Sequence, residues 1–267
     1  LLEVGYRTDV VKLDFAALYP NIEITWDIFP DTDISDVMKG MLLYIANTRD
    51  KFKALMNEHK SEVRTFQNII DEKGKSMTNE EMEFAKQQLK ENKSMASMYD
   101  KKQLPIKILG NSFFGSLGAP NIFNWGDIQC AEETTCRGRQ YLRLMVWFFV
   151  DKGFTPLVGD TDGFNFAIPK DVDKFRYIPK GTHRFTKDKA GKESIGLDAV
   201  VDEYNELYMI GRMGLDIDDI CESTINFSRK NYANLIDGII KLVGNTIKSS
   251  KMPIYIEEFL AEAIEYL

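Results

Sequence analysis

A chain of 267 residues that is 44% hydrophobic and 28% charged can fill one large core or two smaller ones. Its net charge of −7 argues at first sight against a nucleic-acid partner. No apolar run approaches the roughly 18–20 residues of a membrane span, and the richest window, "YLRLMVWFFV", is short and carries Arg143, so no membrane partner is expected.

The opening "LLEVGYRTDVVKLDF" mixes acidic and basic residues where a signal peptide would be apolar, and it starts with Leu rather than Met. A cytoplasmic segment cut from a longer polypeptide is the expectation, in the host cytoplasm if the parent is viral. Cys130, Cys136 and Cys221 are odd in number and lack C-x-x-C spacing, which suits structural thiols in a reducing compartment. Charge is also unevenly spread. Between Ile45 and Gly110 stand 13 Lys/Arg against 10 Asp/Glu, so this stretch is +3 inside an acidic remainder.

Taken in chain order, "TDVVKLDFAALYPNIEI" is rich in β-formers and predicts a strand ending in a turn at Pro20. From about Ser35 a helical period runs to about Ile70. The polar break "DEKGKSMTN" follows, and Thr78-x-x-Glu81 starts a second long helix as a capping box. Together these predict an antiparallel helical hairpin. Pro105 predicts a kink or restart, with "PIKILGNSFFG" as a new helical segment ending near Gly115. After the irregular "SLGAPNIFNWGD", a helix is expected from about Ala131 to Lys152, stopped by Gly153.

"FTPLVGDTDGFNFAIP" alternates on both sides of its turn and predicts a β-hairpin. Residues 170–196 read as a charged loop with a short hairpin around "FRYIPKGTHRFT". A helix over about Leu197–Met213, a strand pair ("GLDIDDI" and "STINFSRKNYANLI") and a helix after Pro253 complete the chain. Strands and helices do not alternate in a βαβ rhythm, so the fold class is α+β with an antiparallel sheet.

Three clusters carry chemistry. "DFAALYP" puts Asp14 near the end of an apolar strand. "KILGNSFFG" spaces Lys107, Asn111, Phe114 and Gly115 along one helical face, offering a cation, an amide and an aromatic surface. Arg49 and Lys53 form a matching i, i+4 pair, as a solvated helix face also would. In "GDTDG", Asp160 and Asp162 crowd one turn, where two carboxylates about 4 Å apart repel by roughly 4 kcal/mol at an effective dielectric near 20. Either water screens that turn or a cation occupies it. If Asp14 joins them, three hard oxygen donors suit Mg²⁺.

In this order the clusters resemble the family B DNA polymerases: "DFAALYP", "KILGNSFFG" and "GDTDG" are similar to that family's three motifs. Arg49-x-x-x-Lys53, Thr135-x-x-Gly138-Arg139 and the "RKNY" of 229–232 agree with it. The resemblance implies an antiparallel-sheet palm (1–33 and 116–251), an inserted helical-hairpin fingers domain (34–115) and the start of a thumb (252–267). It implies template-directed DNA synthesis by two-metal nucleotidyl transfer. Two Mg²⁺ ions, replaceable by Mn²⁺, would sit on Asp14, Asp160 and Asp162. Arg49, Lys53, Lys107, Asn111, Leu18, Tyr19 and Phe114 would bind the nucleotide, with Tyr19 as a steric gate against ribose. Gly115, Lys230 and Tyr232 would contact DNA.

The implied partners are primer–template DNA, dNTPs and the exonuclease and thumb domains of a longer parent. Two departures stand out. Phe114 replaces the family's usual Tyr, and Val158 and Gly163 replace Tyr and Ser at the ends of the third motif. A palm-like nucleotidyl cyclase and a non-catalytic DNA-binding relic are the alternatives.

Overall fold

The computed structural model describes residues 3–73, 76–178, 186–187, 193–228, 230–244 and 262, with backbone only at 160, 186, 187 and 193. The chain divides into two compact units, residues 1–18 with 135–267, and residues 19–134.

The first unit is built on a six-stranded antiparallel sheet. Its strands are β1 (Gly5–Phe15), β2 (Thr155–Asp160), β3 (Gly163–Ala167), β7 (Leu215–Ser228), β8 (Asn231–Ile236) and β9 (Ile239–Val243), in the spatial order β2-β3-β1-β7-β8-β9. The central strand β1 buries Val11, Leu13 and Phe15 on one face, following the period-two rule. Phe15 meets Tyr141 and Tyr204, and Phe166 of β3 meets Phe149 and Phe154. Tyr141 and Phe149 come from α4 (Ile128–Asp151), Tyr204 from α5 (Leu197–Tyr208) and Phe154 from the turn between α4 and β2, so an aromatic core closes one face of the sheet. Asp127 caps α4 by accepting from the N–H groups of Gln129 and Cys130. A small sheet of β4 (Val172–Asp173), β6 (Glu193–Gly196) and β5 (Thr186–Lys187) stands beside it, β4 and β6 running parallel.

The second unit is a helical hairpin of α2 (Val37–Lys73) and α3 (Asn79–Leu117), joined by α1 (Leu18–Trp26). The Thr78–Glu81 capping box forms as expected, each partner bonding the other's backbone N–H. At the start of α2 the Asp33 carboxylate accepts from three successive N–H groups, Val37 to Lys39. Contacts then step regularly along the antiparallel pair: Ile45 beside Gly110, Arg49 to Gln103, Phe52 on Tyr99, His59 to Asn92 and Phe66 against Phe84.

The structure corrects several expected elements. The strand stops at Phe15, the chain turns at Ala17 (φ +49°), and residues 18–26 form a helix with Pro20 in its first turn, where a missing N–H costs nothing. Pro105 does not break α3, which runs on to Leu117 because neighbouring turns packed on α2 hold it. The helix expected to reach Met213 ends at Tyr208. "GLDIDDI" and "STINFS" belong to one long strand, β7, and the turn falls later, at Lys230 (φ +61°). Strand β9 was not anticipated, although Asp237-Gly238, both at positive φ, make a two-residue hairpin turn. The expected helix after Pro253, and the middle of "FRYIPKGTHRFT", lie outside the described residues. Among the described residues no helix is long and apolar enough to cross a membrane.

Candidate active site

In the first unit, strand pairing lines up the carboxylate positions. Gly163 is the register partner of Asp14 on one side and of Asp160 on the other, so Asp160, Gly163 and Asp14 lie in one row across β2, β3 and β1. The row continues into β7, where Asp216 is paired with Asp14. The Phe15 N–H donates to the Asp162 carbonyl at 2.9 Å, which ties the end of β1 to the β2–β3 turn. Phe15 and Asp162, 147 positions apart in sequence, are thereby neighbours. Asp14 and Asp162 are half-buried; the Asp160 side chain lies outside the described set. Among the described residues, no three His, Cys, Asp or Glu side chains gather closely enough to form a metal cluster.

The turn itself is tight. Thr161 has φ +25°, and Thr161 Oγ1 is 3.4 Å from the Lys230 ammonium, which reaches over from the β7–β8 turn. Tyr232, two residues on, is only 3% exposed and sits inside the sheet. Lys12, two residues before Asp14, pairs with Asp218. Partial burial works to lower the Lys12 pKa. The bond to Asp218, with the charges of Asp218 and Asp14 nearby, outweighs that and raises it, so the row of acids carries a firmly protonated lysine at its edge.

In the second unit, α1 and α3 bring Tyr19 and Phe114 together. The ring of Tyr19 lies on that of Phe114, centroids 4.4 Å apart. One turn earlier on α3, Gly110 admits Pro20: a Cβ there would sit 3.8 Å from the proline ring and 3.6 Å from Ile45. Arg49 reaches Gln103, at 3.5 Å from Nε to Oε1, and Gln103 precedes Lys107 by one turn of α3. Lys53 follows Arg49 by one turn, and Asn111 follows Lys107 by one turn. Gly115 is exposed near the end of α3. The loop after α3 is fixed by the Trp125 indole donating to Ser116 Oγ at 2.9 Å and by the Asp127 N–H donating to Leu117 O at 2.8 Å. Leu18, the first residue of α1, is buried.

Sequence reasoning missed Asp216 and Lys12, and named Gly163 only as a departure from the third motif. Their importance comes from strand register, which no local spacing reveals. It also missed Glu23, a buried carboxyl on α1 that stands outside the site row.

Comparison with known proteins points in one direction. The profile of DNA polymerase family B matches residues 3–153. The chain is 30% identical over 243 residues to DNA polymerase 1 of Pyrococcus abyssi, covering 90% of this chain and 27% of that protein. It is 27% identical over 252 residues to a DNA polymerase of Archaeoglobus fulgidus, covering 92% of this chain and 27% of the relative. It thus spans about a quarter of the length of these relatives. Among solved structures, the family B DNA polymerase of Pyrobaculum calidifontis superposes with a TM-score of 0.51 at 17% identity, over 99% of this chain and 33% of that one. At that identity the likeness concerns the mixed helix and antiparallel-sheet fold alone.

Proposed function

Because the chain belongs to DNA polymerase family B, its profile matching residues 3–153, we propose that it holds the catalytic core for template-directed addition of dNTPs to a primer 3′-hydroxyl. Membership in that family leaves the nucleotidyl-cyclase alternative without support. Residues 1–33 and 116–251 act as palm, 34–115 as fingers and 252–267 as the beginning of a thumb. The relatives' greater length supports exonuclease and thumb partners elsewhere in a longer protein.

The observation that carries this reading is the tie between β1 and the β2–β3 turn, through the Phe15 N–H and the Asp162 carbonyl. It supports Asp14 and Asp162 as joint ligands, with Asp160 in the same strand row. Carboxylate oxygens are hard donors that fit Mg²⁺ or Mn²⁺ and leave room for substrate phosphates. Two such ions, when bound, supply the charge that steadies an in-line phosphoryl displacement.

The chain's own residues do the rest. Arg49, Lys53 and Lys107 neutralise the triphosphate, the guanidinium as a planar fork and the ammonium groups as point charges. Asn111 adds a directed hydrogen bond. Tyr19, backed by Phe114, fills the space a ribose 2′-hydroxyl would need, so discrimination is by clash. Gly115 lets a DNA strand approach the α3 backbone. Lys230 holds primer phosphate near the turn, and the buried Tyr232 keeps the strand that presents it in place.

Primer–template extension with Mg²⁺, on the full-length protein and its Asp162→Asn variant, tests the assignment. Extension that depends on Asp162 is expected. A variant that extends at the wild-type rate ends this reading, and with it any catalytic role for the turn.

A further inference from the structure

The stretch Lys174-Phe175-Arg176-Tyr177 follows β4, in a part of the chain that the family motifs do not use. Its backbone is anchored at both ends. The Phe175 N–H donates to Asp173 Oδ1 and the Ile178 N–H to Asp198 Oδ2, each at 2.9 Å, and Ile178 itself is buried. The Arg176 carbonyl lies where a Cβ on Gly196 would be only 2.2 Å away, so this glycine exists to let the segment lie close. The cations are held as well: Lys174 pairs with Asp9, and Arg176 Nη1 donates to Ser194 Oγ at 2.8 Å.

Against this fixed background the two rings are left out. Phe175 is 80% exposed and Tyr177 72%. Folding alone gains little from presenting two large aromatics to water on a pinned backbone. The sequence around them is the opposite of the acidic whole. Residues 170–192 carry eight Lys/Arg against three Asp, in a chain of net charge −7. Local positive charge calls for a polyanion, and exposed rings call for flat partners whose faces are accessible. Duplex DNA hides its base faces in the stack; single-stranded DNA offers both the phosphates and the faces.

We propose that Phe175 and Tyr177 form a stacking platform for single-stranded DNA, with Lys174 steadying the Phe175 ring and Arg176 adding charge. The Lys174 ammonium already stands 5.1 Å from the Phe175 ring centre, which stiffens that ring from one side and leaves the other for a base. This platform rests on the DNA-synthesis reading for its choice of partner, but it uses none of the residues of the acidic row or of the helical hairpin.

Fluorescence anisotropy with labelled oligo(dT) and with a blunt duplex tests it on the full-length protein. Three double variants are needed: Phe175→Ala/Tyr177→Ala, Phe175→Leu/Tyr177→Leu and Phe175→Tyr/Tyr177→Phe. Stacking predicts that the Ala and Leu pairs bind oligo(dT) about tenfold more weakly, while the aromatic swap binds as wild type does and duplex affinity stays unchanged. Wild-type affinity of the Ala pair for oligo(dT) overturns the platform. So does retention of binding by the Leu pair, which would mark a general apolar dock for another protein surface. Primer extension run in parallel separates the two readings. Normal extension with no oligo(dT) defect in the Ala pair sinks the platform alone, whereas a platform defect in a protein that extends no primer sinks the polymerase assignment alone.

Discussion

Gly163 is the strand partner of Asp14, and a Cβ built on it would lie 2.6 Å from the Leu13 carbonyl and 2.7 Å from Asp14 Oδ1. The glycine is there for room. One of the two obstructing atoms belongs to the backbone of the central strand and cannot rotate away. Gly163→Ala must therefore spread β1 from β3 or swing the Asp14 carboxylate. Overpacking of this kind costs about 1–3 kcal/mol of stability. A displacement near 1 Å at a reacting centre costs on the order of 10²-fold in rate. Single-turnover primer extension, read beside thermal melting, should show both losses. At Gly159 the atoms nearest the added Cβ belong to the ring of Phe164, the first at 2.6 Å, and a ring can turn, so Gly159→Ala should lose less in rate. Equal rates for wild type and Gly163→Ala would show that Asp14 does not depend on this gap.

Glu23 is 1% exposed on α1, and its Oε1 has no hydrogen-bond partner among the described residues. Burial pushes its carboxyl up from 4.5 to about 8. The folded chain thus holds this proton more tightly than the unfolded one. The associated stability is complete below about pH 4.5, declines as pH rises and is gone above about pH 8. At pH 7 the penalty is on the order of 3 kcal/mol. Glu23→Gln keeps the shape and removes the ionisation. Melting temperatures of the two proteins should converge at acid pH and separate steadily toward pH 8, with the variant the more stable. Parallel curves across that range would mean Glu23 is not the group responsible.

What was legible in the sequence follows from range. The Thr78–Glu81 cap and the alternation either side of Asp160–Asp162 are local, and both form as read. The segment 18–26 misled because Ile22, Ile24 and Thr25 are β-branched, whereas packing of α1 on α3 at Tyr19–Phe114 and Pro20–Gly110 overrides that preference. Pro105 misled for a similar reason: local chemistry forbids what a long packed helix tolerates. The row Asp160, Gly163, Asp14 and Asp216 was only half visible. Asp14, Asp160 and Gly163 could be named and Asp216 could not, because the pairings of Asp14 join strands some 150 to 200 residues apart, and a one-residue slip would turn every side chain over.

Within the helical hairpin, Asn92 pins the two helices to one register. Its Nδ2 donates to Gln88 O at 2.9 Å, so its Oδ1 accepts from His59 Nδ1 at 2.7 Å. The His59 ring lies flat against Tyr99, centroids 5.7 Å apart, which fixes its orientation. Asn92 is 9% exposed, so Asn92→Ala leaves an imidazole N–H in a half-buried seam with its acceptor removed. Urea denaturation should register a loss of about 1–3 kcal/mol. Gln87→Ala, which removes an exposed bond to Glu91, should stay within about 0.5 kcal/mol of wild type. If the two variants cost the same, the pin is no stronger than a surface contact.

Tyr19 and Phe114 make the last prediction, because the gate proposed for Tyr19 has a visible support. The two rings touch at 4.4 Å between centroids, tilted by 32°. Such a pair is worth about 0.5–1.5 kcal/mol beyond simple burial. Removing Tyr19 should admit ribonucleotides outright. Removing Phe114 leaves the gate in place but lets it tilt, so Phe114→Ala should raise ribonucleotide incorporation by roughly tenfold or less. Phe114→Leu, which keeps some bulk, should fall between that and wild type. Because one ring acts through the other, the double variant should be no more permissive than Tyr19→Ala alone, a failure of additivity that marks coupled neighbours. Selectivity is read as the ratio of kcat/KM for a dNTP to that for its ribonucleotide. Additive losses in the double variant would mean that Phe114 acts on the sugar by some route other than Tyr19. An unchanged ratio in Tyr19→Ala would remove the gate altogether.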